Sequence, residues 1–281
     1  MQFQKPVTDL IRQRRSVRNY TPEDVTSDLE NQIREVLARY TLGPMGNTIN
    51  FHLVHKPSLK GKKIQLGTYG FIKGARYFVA GTVRRTAFAE EDYGYLLEII
   101  MIHLLGLGLG TCWLGGTFKR SEWAQVLNTP AGEVIPAITP VGFPAPSMSN
   151  RERLIRKGAK SDRRKSWDEL FFTAEFSEPL AGSETEEFFI PLEMVRLAPS
   201  ASNKQPWRIV QSGDDFHFFL SRTPGYGKHT NHTDLQRIDM GIAMAHFELG
   251  CIETGIEGRW ERAENGISLN DTTEYIVSWV K

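Results

Sequence analysis

Cysteine is scarce in this chain: its 281 residues include two, Cys112 and Cys251. Two thiols cannot form a disulfide scaffold or a four-cysteine metal site. The first residues also lack the apolar stretch of a secretory signal. We therefore expect a protein of the reducing cytoplasm.

Net charge is almost absent, because 34 Lys and Arg residues face 33 Asp and Glu residues. This balance argues against a uniformly basic surface for nucleic acid. A long hydrophobic run is absent too. The longest uncharged stretch, residues 99–118, contains five glycines and His103, so it predicts a buried helix followed by a Gly-rich turn. We expect no nucleic-acid partner and no membrane span.

What is present is an alternation of helical and extended patterns that predicts an α+β fold. Apolar Val25, Leu29, Ile33 and Leu37 recur at helical spacing, after Thr21 as the expected helix N-cap. Helices are predicted over 6–16, 23–40, 91–107, 119–127, 166–173, 187–198 and 234–254. Strands are predicted over 50–55, 77–83, 133–142, 207–211, 216–220, 256–263 and 273–280.

An internal repeat relates two parts of the chain. Residues of the same type recur with the same spacing in two sets: Asp92, Gly94, Gly108 and Trp113, and then Asp239, Gly241, Gly255 and Trp260. Such self-similarity is typical of duplication and would let one chain act as a two-fold dimer does. Chance similarity between two α/β segments is the alternative.

Two clusters are candidates for ligand binding. Arg14-Arg15-Ser16-Val17-Arg18 could clamp a phosphate, since guanidinium groups donate paired hydrogen bonds to phosphate oxygens; a solvated basic turn is the alternative. The loop 199–207, Pro-Ser-Ala-Ser-Asn-Lys-Gln-Pro-Trp, suits a polar heteroaromatic ligand or is a capped loop.

Two further stretches are less specific. Glycines in 106–116 let backbone amides approach a ligand, but a helix precedes them, so the dinucleotide fingerprint does not fit. Residues 151–165 contain eight basic residues and two acids. Three interpretations are open: a solvated linker, a set of cations that contacts a phosphate, and a nucleic-acid surface, which the lack of interleaved aromatic residues disfavours. His229 and His232 lack further ligands, so no metal site is expected.

Together these motifs resemble the nitroreductase family of FMN-dependent oxidoreductases. The resemblance rests on Arg14-Arg15-Ser16, residues 106–116, Val141-Gly142-Phe143-Pro144, Arg164-Lys165 and the loop 199–207. In the ordinary family the Pro-Ser loop lies between the Arg-Arg-Ser and Gly-Trp motifs, whereas here it follows both. The chain is therefore similar to a fused, double-copy branch of the family.

The resemblance implies a nitroreductase-like α+β fold, internally duplicated so that one chain mimics the family homodimer. Residues 1–150 would form the first half, with the phosphate clamp and the Gly-Trp loop. Residues 151–165 would be a basic linker that contributes to the clamp. Residues 166–281 would form a degenerate second half that keeps the Pro-Ser loop. The losses in the two halves are complementary, so one complete site is expected.

The resemblance also implies which residues hold the cofactor, and it names no catalytic side chain. Tyr69, Gly70 and Phe71 are further candidates, for contact with the sides of the flavin ring. The implied cofactor-binding residues are Arg14, Arg15, Ser16, Arg18, Trp113, Leu114, Gly115, Gly116, Arg163, Arg164, Pro199, Ser200, Ala201 and Asn203.

The implied activity is hydride transfer from NAD(P)H, through the N5 atom of FMN, to a flat, electron-poor small molecule such as a nitroaromatic or a quinone. The chain would act as a monomer. A non-catalytic flavin or small-molecule binder on the same scaffold is the alternative, and a protein that binds partners through its basic linker is a weaker one.

Overall fold

The computed structural model of the protein describes residues 3–56, 68, 70–147, 153–154, 157–158, 163–182, 187–226, 233–269 and 271–281. Its α-helices are α1 Val7–Gln13, α2 Ser27–Arg39, α3 Ala89–Gly106, α4 Arg120–Val126, α5 Phe189–Leu197 and α6 Leu235–Thr254. Its strands are β1 Asn50–His55, β2 Tyr77–Arg84, β3 Gly110–Thr111, β4 Glu133–Val134, β5 Ile138–Gly142, β6 Phe171–Thr173, β7 Trp207–Ser212, β8 Asp215–Ser221, β9 Arg259–Glu261 and β10 Thr273–Val280.

The strands form two five-stranded sheets with the same internal order. The first sheet runs β1-β2-β5-β3, with β4 paired to the end of β2, and these pairs are antiparallel. The second runs β6-β7-β8-β10-β9 and is antiparallel except for the pair of β6 with β7. Four neighbouring strands therefore have matching positions in the two sheets, β1-β2-β5-β3 in the first and β7-β8-β10-β9 in the second. In both sheets a long helix, α3 or α6, follows the second of these strands along the chain.

The long helices α3 and α6 cross at two glycines. A Cβ added to Gly241 would lie 2.7 Å from the backbone nitrogen of Tyr95 and closer still to the carbonyl oxygen of Glu91. A Cβ added to Gly94 would lie 3.0 Å from the carbonyl carbon of Ile238. Only glycine allows the two backbones to approach this closely. Side chains from both sheets and both helices then share one apolar cluster.

Buried charged groups connect the same two helices. Glu91 of α3 forms an ion pair with Arg237 of α6, although its side chain is fully buried. Burial raises the pKa of Glu91 to about 7, against the opposing charge of Arg237.

No helix in the part of the chain that the structure describes is long and apolar enough to cross a membrane.

The structure corrects several predicted boundaries. The helix expected from residue 23 begins at Ser27, where Thr26 accepts a hydrogen bond from the backbone of Leu29. Thr21 is not its cap, because the segment before Thr26 is extended and the backbone nitrogen of Thr21 donates to Phe143. The strand predicted over 133–142 is divided into β4 and β5 around Pro136, which has no N–H to donate.

The helix predicted over 166–173 is wrong. Residues Trp167–Glu169 form a single 3-10 turn, and Phe171–Thr173 form β6, which pairs in parallel with β7. Ser166 and Glu169 do form a helix capping box. The local start signal is therefore present, but burial of Leu170 and Phe171 in the second sheet ends the turn after three residues.

Candidate functional site

A cavity of about 370 Å³ is lined by residues from distant parts of the chain, between Arg12 and Ile242. Its walls come from the segment after α1, the loop around Trp113, the loop after α5 and the first turns of α6. Among the described residues, its lining includes one carboxylate, Asp239, and five arginines: Arg12, Arg14, Arg15, Arg18 and Arg164. The cavity therefore favours an anionic ligand.

The segment that follows α1 is held in an extended conformation beside β3. The backbone nitrogen of Val17 donates to the carbonyl of Thr111 at 2.8 Å, and Ser16 forms a parallel bridge with Thr111. The carbonyl of Arg18 accepts from the backbone of Lys73 at 2.9 Å. Arg14, Arg15, Ser16 and Arg18 of this segment line the cavity. One guanidinium nitrogen of Arg18 is buried without a hydrogen-bond partner among the described residues.

Glu98 of α3 contacts two of the side chains that line the cavity. Its Oε2 accepts a hydrogen bond from the indole nitrogen of Trp113 at 2.6 Å. Its Oε1 lies 3.9 Å from Nε of Arg14, whose side chain is only 7% exposed. One carboxylate at the centre of the fold thus contacts a wall residue from each of two separate segments.

His246 of α6 completes this buried group. Its Nε2 lies 2.9 Å from Oε1 of Glu98, and its Nδ1 lies 2.9 Å from the carbonyl oxygen of Met194. Both ring nitrogens of His246 therefore face oxygen atoms that can accept a hydrogen bond. Burial tends to raise the pKa of Glu98, but the hydrogen bond and charge of His246, together with Arg14, outweigh it and lower that pKa.

The loop 199–205 carries unusual backbone conformations. Ser202, Asn203 and Gln205 have φ values of 52°, 54° and 48°, in the left-handed region that residues other than glycine rarely adopt. Hydrogen bonds hold the loop in this shape: Gln205 N donates to Oγ of Ser200 at 2.8 Å, and Ala201 N donates to Oδ1 of Asp239 at 2.8 Å. Backbone strain that is supported in this way is typical of ligand sites.

The end of the basic stretch docks onto the same loop. Arg164 donates from Nε and Nη2 to the carbonyl of Leu197 at 3.2 and 3.1 Å. Asn203 donates from Nδ2 to the carbonyl of Arg163 at 2.8 Å, and Lys165 N donates to Oε1 of Gln205 at 2.8 Å. Residues 163–165 are therefore part of the cavity wall and its support, not a solvated linker.

The start of α6 supplies an apolar face to the cavity. Leu235, Ile238 and Ile242 line it at helical spacing, and Asp239 lies among them. Gly115 packs directly against this helix, because a Cβ there would lie 3.4 Å from Cδ1 of Leu235 and closer to its Cδ2. The cavity thus has arginines from the segment after α1 and an apolar surface on α6.

The structure brings together most of the residues that the sequence singled out. Eleven of them line the cavity: Arg14, Arg15, Ser16, Arg18, Trp113, Gly115, Arg164, Pro199, Ser200, Ala201 and Asn203. Leu114, Gly116 and Arg163 are not among the lining residues. Leu114 packs in a separate apolar cluster with Trp123 and Ile138, and Arg163 contacts the loop through its carbonyl oxygen.

Other expected positions are placed elsewhere. Gly70 and Phe71 do not line this cavity, and Tyr69 lies outside the described residues, as do His229 and His232. In the described ranges, no three or more His, Cys, Asp or Glu residues are grouped so that they could hold a metal ion.

Sequence reasoning missed part of the wall. Arg12, Ser202, Asp239 and the three apolar residues of α6 also line the cavity. The internal repeat did include Asp239, but nothing in its spacing showed that this carboxyl faces a ligand.

Comparison with known proteins agrees with this architecture. Residues 6–251 match the model of a family described as "Putative TM nitroreductase". A crystal structure described as a "putative nitroreductase" from Thermotoga maritima is similar over 100% of this chain and 95% of its own, with 17% identity and a TM-score of 0.61. No curated protein sequence matches the chain.

Other solved structures match about half of the chain. A nitroreductase with bound FMN from Desulfitobacterium hafniense covers 52% of this chain and 92% of its own, with 17% identity and a TM-score of 0.43. The NADPH:FMN oxidoreductase from Vibrio harveyi, complexed with NAD⁺, covers 52% of this chain and 75% of its own, with 14% identity and a TM-score of 0.42.

Proposed function

The chain belongs to this nitroreductase family, has its α+β fold and is an oxidoreductase by that membership, and from this premise we propose that it binds one FMN in the cavity between its halves. It would transfer hydride from NAD(P)H to a flat, electron-poor small molecule such as a nitroaromatic or a quinone. The arginine-rich cavity, walled by both halves of the chain, is the observation that carries the proposal.

The phosphate of FMN fits the arginine side of the cavity. Arg14, Ser16 and Arg18 come from one extended segment, and Arg164 reaches the cavity from the segment between the two halves. A phosphate carries nearly two negative charges and needs several such donors. The buried guanidinium nitrogen of Arg18 that lacks a partner among the described residues would then gain a phosphate or hydroxyl oxygen.

The flavin ring fits the remaining surface. Leu235, Ile238 and Ile242 offer apolar contact, and the loop with Pro199, Ser200 and Asn203 offers hydrogen-bonding groups. A cavity of about 370 Å³ falls in the range of small-molecule sites. We assign Gly115, with Gly116 beside it, to the approach of the backbone to the ring, since neither residue carries a side chain of its own.

Bound FMN supplies the hydride chemistry between NAD(P)H and the acceptor. The chain's own residues bind and orient. Trp113 is fixed by Glu98, the loop is fixed by Ser200 and Asp239, and Arg164 is fixed by Leu197. A cavity wall held in this way would place NAD(P)H, and afterwards the acceptor, in the same position beside the flavin.

We further propose that the chain is an internally duplicated pair. The matching strand order of the two sheets and the reciprocal packing of Gly94 and Gly241 support this. The first half would be 1–150 and the second 166–281, with 151–165 between them. A fused pair needs no partner chain, so we expect a monomer of 31.9 kDa by light scattering, and twice that mass would contradict this.

A non-catalytic flavin or small-molecule binder on the same scaffold is the second candidate. A flavin enzyme needs no acid or base side chain for the hydride step, because the cofactor carries the chemistry. The lack of an assigned acid or base therefore does not distinguish an enzyme from a binder. Turnover separates the two: an enzyme oxidises NADH or NADPH with an acceptor, whereas a binder holds the flavin without turnover.

The test is the absorption spectrum of the purified chain titrated with FMN. We expect about one FMN per chain, and bleaching by NADH or NADPH without oxygen. The double variant Arg14→Ala/Ser16→Ala should lose most of the bound flavin, because it removes a buried guanidinium and a hydroxyl from the cavity wall.

Arg34→Ala is the matched control. Arg34 is an arginine of α2 that is paired with Glu30 at 2.6 Å and is 54% exposed, so its removal should leave flavin content unchanged. Two flavins per chain would contradict the single site. No flavin after prolonged soaking would contradict the FMN proposal itself.

A further inference from the structure

Two aspartates occupy matching places in the two halves but have different hydrogen-bond partners. Asp92 uses both oxygens: Oδ1 accepts from Met45 N at 2.9 Å, and Oδ2 accepts from the backbone and the side chain of Asn47, each at 2.9 Å. Among the described residues, Asp239 accepts from Ala201 N alone, through Oδ1. Its Oδ2 is buried with no hydrogen-bond partner among the described residues.

The location of Asp239 gives this free oxygen a meaning. Asp239 is 2% exposed and lines the cavity, while Asp92 does not. On α6 it lies beside Ile238 and one turn before Ile242, in the apolar part of the wall. The phosphate end of a ligand would lie against the arginines, so Asp239 faces the ring end.

The surroundings of Asp239 favour its neutral form. An ionised carboxylate with a single backbone donor is costly inside a protein. Burial raises the pKa of Asp239, the negative charge of Asp234 acts in the same direction, and the hydrogen bond from Ala201 N opposes them. Tyr226, whose hydroxyl lies 3.2 Å from Oγ of Ser202, is a further titratable group of this loop region. An acid proton on Oδ2 would make that oxygen a hydrogen-bond donor, since Oδ1 already accepts from Ala201 N.

We propose that Asp239 is a ligand-binding residue whose protonated Oδ2 donates a hydrogen bond to a carbonyl oxygen of the ligand's planar ring. This rests on the proposed FMN site and adds to it the residue that reads the polar edge of the ring. It also explains why the two equivalent aspartates differ: Asp92 has all its partners within the loop 44–47, while Asp239 leaves one oxygen for the ligand.

The experiment measures dissociation constants by fluorescence titration of the full chain with FMN, 2-thio-FMN and 4-thio-FMN. Sulfur is a poor hydrogen-bond acceptor, so replacing the contacted carbonyl should weaken binding. For the wild type we expect one of the two analogues to bind about three- to tenfold more weakly than FMN, the range of one neutral hydrogen bond.

Two variants test the role of the acid. Asp239→Asn keeps an oxygen for Ala201 N and an N–H for the ligand, so it should bind FMN within about threefold of the wild type and discriminate equally between the analogues. Asp239→Leu removes the donor and should bind FMN and both analogues alike. Comparing ligands within each variant cancels any general effect on the loop.

Asp92→Asn is the control in the other half, and it should discriminate between the analogues as the wild type does. Equal binding of FMN and both analogues by the wild type would overturn the proposal, and so would discrimination that persists in Asp239→Leu. A large loss of FMN binding in Asp239→Asn would show an ionised acceptor in place of a donor. A wild type that binds no flavin would instead refute the proposed function.

Discussion

Substituting Gly241 with alanine tests the crossing of the two long helices. The new Cβ would lie 2.7 Å from the backbone nitrogen of Tyr95, 2.8 Å from the carbonyl carbon of Glu91 and closer to its oxygen. These atoms belong to the backbone and cannot rotate away. The helices would have to separate by roughly 1.5 Å to restore an ordinary contact near 3.5 Å with the carbonyl oxygen of Glu91.

The expected loss is larger than that of ordinary overpacking. Overpacking alone costs about 1–3 kcal/mol. Separation would also loosen the contacts of Arg237 with Glu91 and of His246 with Glu98, which join the same two helices. Alanine recovers up to about 1 kcal/mol in helix propensity. We therefore expect Gly241→Ala to lower the free energy of unfolding by about 2–4 kcal/mol in urea titrations followed by circular dichroism.

Gly106→Ala is the matched control for this measurement. Gly106 is also a helical glycine of α3, but its added Cβ would lie 3.6 Å from Cδ1 of Leu10, an ordinary contact. We expect it to be neutral or slightly stabilising. Gly94→Ala should resemble Gly241→Ala, because it meets the backbone of Ile238. A loss below about 1 kcal/mol for Gly241→Ala would refute the tight crossing.

Two further predictions concern buried carboxyl groups. The pKa of Glu91 rises on folding from 4.5 to about 7, so the folded state binds more protons than the unfolded state in this range. The free energy of unfolding should therefore fall as the pH is raised from about 4.5 to 7, and Glu91→Gln should remove this pH dependence in urea titrations. Glu98→Gln should lower the free energy of unfolding by about 3 kcal/mol, because it leaves His246 without its buried ionic partner. Glu248→Gln should lower the free energy of unfolding by only about 1 kcal/mol, because this carboxylate accepts from Trp260 Nε1 at 2.6 Å and Tyr95 OH at 2.7 Å and has no ionic partner among the described residues. Equal losses in the two variants would contradict a charged pair at Glu98.

The sequence predicted the elements whose apolar pattern is long. The last strand is found over Thr273–Val280 as expected, and the helix predicted over 234–254 is found over Leu235–Thr254. The helix is buried along most of its length, and the strand is buried over Ile276–Trp279, so local pattern and tertiary packing agree. The short segment around Phe171 differs, because its three strand residues are determined by pairing with β7, and local residues cannot reveal that pairing.

The site was predictable where motifs are contiguous and not where it depends on the fold. Arg14, Ser16 and the loop from Pro199 stand out in the sequence, and they line one cavity. Asp239 could be found only as a repeat of Asp92. Its unpaired oxygen follows from the loop conformation around Ala201, in which a single backbone N–H reaches the carboxyl. Which residues share a wall is a tertiary property, and spacing along the chain does not contain it.

The left-handed conformations of Ser202, Asn203 and Gln205 have a kinetic consequence. A loop that is already held in its strained shape by Ser200, Asp239 and the segment around Arg164 does not need to rearrange when a ligand arrives. Less conformational freedom is then lost on association. Binding should accordingly proceed in a single step, with an association rate set by encounter with the arginine-lined opening and reduced by added salt.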